Sequence, residues 1–288
     1  MKIKIKLSEL LYFSAFFIWL LFNFIAQTNL VYKYPEIYRF RIVAMIVSIV
    51  ILLFKLLLER HSSKFLIFFF SAFCLAIIIG ISTHKLFDAL TIISTILFII
   101  SINNVNFRKV LILWTVSIVL LMISIYGLLK FGIIENTLRV QLGGRFRFSQ
   151  GYQYASFGAN FLFHLTLVYL YLRKSKIRLS EILMLGILNY YFYVNTDTKS
   201  AFLLSILALV LVYIFKNKVV SQKILNAIGK ITLTAGILIP IILTYFYNAN
   251  SKLFQILNVA LTGRLSLGHK TLSLYGVHMF GQRIDWEL

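Results

Sequence analysis

Apolar residues come along this chain in long blocks instead of alternating with polar ones. Runs at 7–27, 40–58, 65–83, 86–102, 110–132, 152–172, 179–195, 200–215 and 230–247 are nearly free of charge. Most approach the ~20 residues that a helix needs to cross a hydrocarbon core. The two-residue period of a half-buried strand is absent, and so is the narrow stripe of a surface helix, because the runs are apolar all round. The pattern predicts an all-α, polytopic integral membrane protein of about nine transmembrane helices.

The polar segments divide the chain. Residues 1–132 form an N-terminal set of transmembrane helices, 133–151 a basic loop, 152–247 further transmembrane helices, and 248–288 a polar segment that ends without another span. The expectation is a chain truncated at its C-terminal end. The start, MKIKIK before an apolar run, has the charge order of a signal peptide. Its apolar part is too long and lacks a small-x-small cleavage site, so it predicts an uncleaved first span. Pro240, mid-way along the last run, is expected to kink it.

Composition supports this picture: 60% of residues are hydrophobic and 13% charged, against ~45–50% apolar residues in soluble domains. Such a chain cannot supply a soluble protein's polar surface. The formal net charge of +20 would suggest nucleic acid in a soluble protein. Here many cations sit in short connections between apolar runs, where anionic lipid and the positive-inside rule account for them. No RNP-like, zinc-finger or basic-helix pattern accompanies them, so no nucleic-acid partner is expected. Cys74 lies in an apolar run and is expected to be a small buried hydrophobe.

Charge also orients the spans. With Lys2, Lys4 and Lys6 on the cytoplasmic side, Lys55, Arg60, Lys64, Arg108, Lys109, Arg173, Lys174, Lys176, Arg178, Lys216, Lys218, Lys223 and Lys230 fall there too. They are a little over half of the 29 lysines and arginines. The other connections should be poor in cations, and they are not. That departure directs attention to three outer segments.

The first is Leu142–Asn160, with Arg139 just before it. Arg145 and Arg147 are two residues apart, so an extended strand points both guanidiniums the same way. A guanidinium is planar, permanently charged and bidentate toward phosphate. Gly143 and Gly144 permit close backbone approach to a ligand. The second segment, Asn195–Lys199, is a tight polar turn in which Lys199 can neutralise phosphate and Asp197 can position it or take a proton. The third is Thr262–Arg264, where Arg264 adds a further cation beside a short apolar patch that could lie on the membrane surface. A solvated basic loop and an ordinary turn are the simpler readings of the first two. His269 and His278 are candidate proton acceptors. Asn160 and His164, four apart, share a helix face and suggest an interhelical hydrogen bond.

HExxH, Walker, CxxC and GxSxG patterns are missing. The nine acids do not cluster, which argues against a divalent-metal site. No metal and no cofactor is expected. Transfer chemistry here would stabilise its leaving group with arginine and lysine, and a diphosphate suits that arrangement.

The order RFRFSQGYQYASFGAN, then YFYVNTDTKSAFLLSILAL, then LTGRLSLGHKTLSLYGVHMFGQRIDW resembles the Wzy-type polysaccharide polymerases, relatives of the O-antigen ligases, in the versions of Gram-positive capsule and exopolysaccharide clusters. The resemblance covers mainly residues 140–288. It implies a GT-C-like helical bundle in the bacterial cytoplasmic membrane that polymerises oligosaccharide repeat units carried on undecaprenyl diphosphate at the outer face. It implies Arg145, Arg147 and Arg264 as diphosphate ligands. Lys199 falls where many members have Ser-Arg. His278, His269 or Asp197 would activate the acceptor hydroxyl. The His-Pro that members carry near Ala159-Asn160 is absent. Implied partners are the lipid-linked oligosaccharide, membrane lipids, a flippase and a chain-length regulator. The rival readings are a ligase, a flippase for the same lipid, or an inactive fragment.

Overall fold

The computed structural model describes residues 6–83, 86–141, 145–215, 222–278 and 282. Twelve α-helices and one hairpin follow in chain order: α1 (Leu7–Ile25), α2 (Leu30–Lys33), α3 (Ile37–Leu57), α4 (Ser63–Thr83), α5 (Leu86–Ile100), α6 (Phe107–Lys130), β1 (Leu138–Gln141), β2 (Arg145–Phe148), α7 (Ala155–Arg173), α8 (Leu179–Thr196), α9 (Lys199–Phe215), α10 (Gln222–Tyr245), α11 (Lys252–Ala260) and α12 (Arg264–Tyr275). Of the described residues 78% are helical, and the long apolar helices make this a helical membrane protein. The expected count of spans needs correction. Among the described residues five helices are long and apolar enough to cross a membrane, namely α1, α3, α4, α6 and α7. Parts of α5 and α10, and all of α9, are shorter apolar helices. In α8 the polar Glu181, Asn189 and Asn195 interrupt an otherwise apolar helix.

The chain divides into two compact units, one of residues 1–77 and 85–217, the other of 78–84 and 218–288. In the first, α1 packs against α3 and α6, α3 against α5, and α7 against α6, α8 and α9. In lipid there is no water to drive helices together, so small residues and internal hydrogen bonds carry the association. Ala15 on α1 and Ala44 on α3 are buried, and the buried Ser48 hydroxyl lies 3.0 Å from the Ala15 carbonyl and 2.7 Å from that of Ala44. Between α7 and α8, Asn189 Nδ2 donates to Thr166 Oγ1 at 3.0 Å and to its own helix at Leu185 O, 2.8 Å. The interhelical hydrogen bond expected from Asn160 and His164 gives way to a contact within α7. The His164 ring contacts the Asn160 carbonyl of its own helix at 2.7 Å, and both residues are exposed. Cys74 is exposed on α4, not buried. The apolar run that carries it turns much of its surface outward, toward lipid.

The two ends of this bundle differ. At one end charges are paired. Lys109 Nζ reaches Glu9 at 2.9 Å, Lys55 Nζ reaches Glu59 Oε1 at 2.8 Å, and Ser8 Oγ donates to the same Glu59 oxygen at 2.7 Å. Lys55 is fully buried and also donates to the Asn103 carbonyl at 3.2 Å. Arg173 binds Glu181 at 2.6 Å on the same side. At the other end stand the α1–α2 connection, the hairpin and the α8–α9 turn.

The second unit contains α10, α11 and α12, with α12 packed on both others. Asn258 joins α11 to α12: its Oδ1 accepts from Ser266 N at 3.1 Å and its Nδ2 donates to Ser266 Oγ at 3.2 Å. Pro240 lies inside α10, which runs on to Tyr245.

Candidate functional site

The expected basic loop is a two-stranded antiparallel hairpin, the one sheet among the described residues of a chain expected to be all-α. Its register pairs Leu138 with Phe148, Arg139 with Arg147, Val140 with Phe146 and Gln141 with Arg145. Gly143 and Gly144 lie outside the described residues, as does the Arg145 side chain.

A hairpin this short is marginal by itself, and three sets of contacts hold it. Ser149, fully buried, follows β2. Its Oγ accepts from Thr137 N at 3.0 Å and from Asn29 Nδ2 at 3.2 Å. Asn29 also donates its side-chain amide to Glu135 O at 2.8 Å, and its backbone N–H to Gly151 O at 2.8 Å. Thr28 and Tyr152 form a β-bridge, and Gln153 donates to Ala26 O at 3.0 Å and to Tyr38 Oη at 2.9 Å. The α1–α2 connection thus clamps the hairpin's base. Gly151 makes this entry possible. Its φ is +85°, and a Cβ there would meet Ile134 Cδ1 at 2.8 Å and Ile125 Cγ2 at 2.9 Å.

The third set of contacts reaches the turn between α8 and α9. Arg147 Nε donates to Thr196 O at 2.7 Å, and Nη2 donates to Thr198 Oγ1 at 3.1 Å. Thr196 O is among the last carbonyls of α8, where the helix dipole is negative and a cation is favoured. Asp197 closes α8 in the left-handed region with φ +44°. Its backbone N–H returns to Tyr193 O at 2.8 Å. Lys199 opens α9 and is exposed. Arg139 places its guanidinium 4.7 Å from the centroid of the Tyr154 ring. This end therefore gathers Arg139, Arg147, Asp197 and Lys199, with the backbone of Arg145 in the same strand as Arg147. Two of the three segments expected to act together do meet, across some fifty positions of sequence.

The third segment lies in the second unit. Gly263, at φ +81°, precedes α12, and Arg264 is the exposed first residue of that helix. Half-buried His269 contacts Thr244 O at 3.1 Å through Nδ1 and lies 5.7 Å from the Tyr247 ring centroid. A carbonyl only accepts, so in this contact Nδ1 carries the proton and Nε2 is the acceptor of the neutral ring. His278 is exposed beyond the end of α12.

Some contributors were not singled out in the sequence. Asn29, Ser149 and Gln153 position the hairpin. Arg41 lies within α3 near the same end, with its Nε 2.8 Å from Asn23 Oδ1 and its guanidinium 4.3 Å from the Phe87 centroid. A charge inside a predicted span was the available signal for Arg41. Asn, Ser and Gln in a loop carry no comparable one. Among the described residues no three His, Cys, Asp or Glu side chains group as metal ligands. No family model, curated protein or solved structure matches the chain.

Proposed function

We propose that the protein is a membrane glycosyltransferase that polymerises oligosaccharide repeat units carried on undecaprenyl diphosphate, as the resemblance to Wzy-type polymerases implies. In this reading the paired-charge end faces the cytoplasm and the hairpin end faces outward. The observation that carries it is the docking of Arg147 on the α8–α9 turn. It brings two cationic segments, far apart in sequence, to one end of the bundle, where topology alone would disfavour them.

The chemistry is a displacement at the anomeric carbon of the donor sugar. The acceptor hydroxyl forms the new C–O bond and the bond from that carbon to the diphosphate oxygen breaks. Undecaprenyl diphosphate departs with the electron pair. Arg139, Arg145 and Lys199 supply positive charge where negative charge develops. Arg147 fixes the hairpin that carries two of them. Asp197 takes the hydroxyl proton, and arginine and lysine stabilise the departing diphosphate.

Deleting the gene tests this reading. A polymerase predicts single repeat units that persist on lipid at the outer face, without polymer. A flippase predicts the same lipid on the inner leaflet. Ligase chemistry predicts intact polymer that never leaves its lipid carrier. The double variant Arg145→Gln with Lys199→Gln should reproduce the deletion at normal protein level, and unchanged polymer would remove the site assignment.

A further inference from the structure

Far from the hairpin, α6 and α7 leave a groove of about 380 Å³ at the paired-charge end of the first unit. Its floor is apolar, formed by Ile112, Val116 and Leu172. Its rim is cationic, formed by Arg108, Arg173 and Lys176. On α6 the residues recur at 108, 112 and 116, and from α7 into the turn after it at 172, 173 and 176. The α6 spacing puts Arg108, Ile112 and Val116 on one face of that helix, while Leu172 and Arg173 end α7 and Lys176 lies in the turn that follows. Among the described residues no acid lines the groove. Glu181 takes Arg173 at 2.6 Å and the Tyr169 hydroxyl at 2.9 Å, which compensates one of the three charges and fixes Arg173 in place.

We infer that this groove binds an anionic phospholipid of the adjacent leaflet. The headgroup phosphate sits among Arg108, Arg173 and Lys176, and an acyl chain lies over Ile112, Val116 and Leu172. Basic pockets between transmembrane helices suit anionic headgroups. A free phosphate would use the rim and leave the floor without purpose. The inference is independent of the polymerase reading and concerns the opposite end of the bundle.

The test uses the full chain purified in detergent. Phosphatidylglycerol, phosphatidylcholine and glycerol 3-phosphate are added in turn, and retention by native mass spectrometry and the thermal midpoint are read. Phosphatidylglycerol should be retained and should raise the midpoint, while the other two do neither. Arg108→Gln with Lys176→Gln should weaken phosphatidylglycerol roughly tenfold or more, since each cation near an anionic headgroup contributes comparably. Val116→Trp, which fills the floor and keeps every charge, should weaken it too. Arg60→Gln with Lys174→Gln removes the same charge from exposed positions at this end and should have no such effect. Equal loss in that control pair would reduce the finding to general surface attraction. Protection by glycerol 3-phosphate alone, unchanged binding in Val116→Trp, or equal retention of phosphatidylcholine would each overturn the lipid site.

Discussion

Arg139 and Arg147 face each other directly across the hairpin, yet each guanidinium has its own partner. Arg139 lies over Tyr154, and Arg147 donates to Thr196 O. Like charges directly opposite on a two-stranded sheet repel. The ring face and the α8 C-terminus draw them toward separate neighbours, so the hairpin can carry both. The two arginines consequently differ in role: one is part of the scaffold, the other is presented at its surface.

That difference predicts unequal variants. Arg147→Gln should destabilise the protein by about 2 kcal/mol, the scale of hydrogen bonds from a charged donor, and Arg147→Lys should recover only part of it because lysine lacks the fork. Arg139→Gln should cost about 0.5–1 kcal/mol, the value of an exposed cation–π contact. Under the proposed polymerase function, its larger effect should be on polymer yield. Thermal unfolding in detergent, read beside polymer length in cells, separates the two.

Gly151→Ala should be more damaging than its size suggests. A side chain at φ +85° is strained, at about 1–2 kcal/mol. Its Cβ would also meet Ile134 and Ile125 at under 3 Å, and such overpacking costs about 1–3 kcal/mol. The hairpin base should loosen, seen as faster hydrogen exchange at Asn29 and Gln153, whose amides bond across the joint. Protection equal to the wild type would show that the joint does not depend on this glycine.

The membrane class was legible because apolar blocks register length directly, and length is what a bilayer selects. The number of crossings was less legible. Residues such as Glu181 and Asn189 are invisible as partners in sequence, yet they lower the apolarity of α8 while binding Arg173 and Thr166. The meeting of RFRF with NTDTK was readable only as a shared side of the membrane. The contact itself depends on Thr196 and Thr198, which carry no charge to announce it. The hairpin was visible only as an extended pair of arginines. Its clamp rests on Asn29 and Ser149, ordinary residues whose pairing spans 120 positions.

Asn189 offers a check on the lipid-phase packing of α7 and α8. Its amide is buried and bonds to Thr166 Oγ1 at 3.0 Å. Such interhelical bonds average about 0.6 kcal/mol and reach about 1.7 kcal/mol. Asn189→Leu should therefore lower stability by about 1 kcal/mol, and adding Thr166→Val should cost little more, because the pair shares one bond. Fully additive losses in the double variant would mean that the two side chains are not coupled.

The paired-charge end predicts a pH dependence whose sign follows from Glu59. Burial pulls its carboxyl upward, but the hydrogen bonds from Lys55 and Ser8, together with the Lys55 charge, outweigh that and hold it below the usual carboxylate range. A group whose folded pKa is depressed contributes stability above its unfolded value, and that contribution is lost as pH falls through the folded one. The protein should therefore be most stable toward neutral pH at this site and weaken progressively as acid protonates Glu59. Glu59→Gln should flatten that part of the profile and lower stability at pH 7 by about 3 kcal/mol, because it strands a buried lysine. Lys55 is fully buried, so the double variant Lys55→Met with Glu59→Leu removes the stranded charge and should regain much of the loss. Thermal midpoints of the three proteins from pH 7 down to pH 4 decide the matter. An acid-induced loss in Glu59→Gln as steep as in the wild type would place the sensitive carboxylate elsewhere.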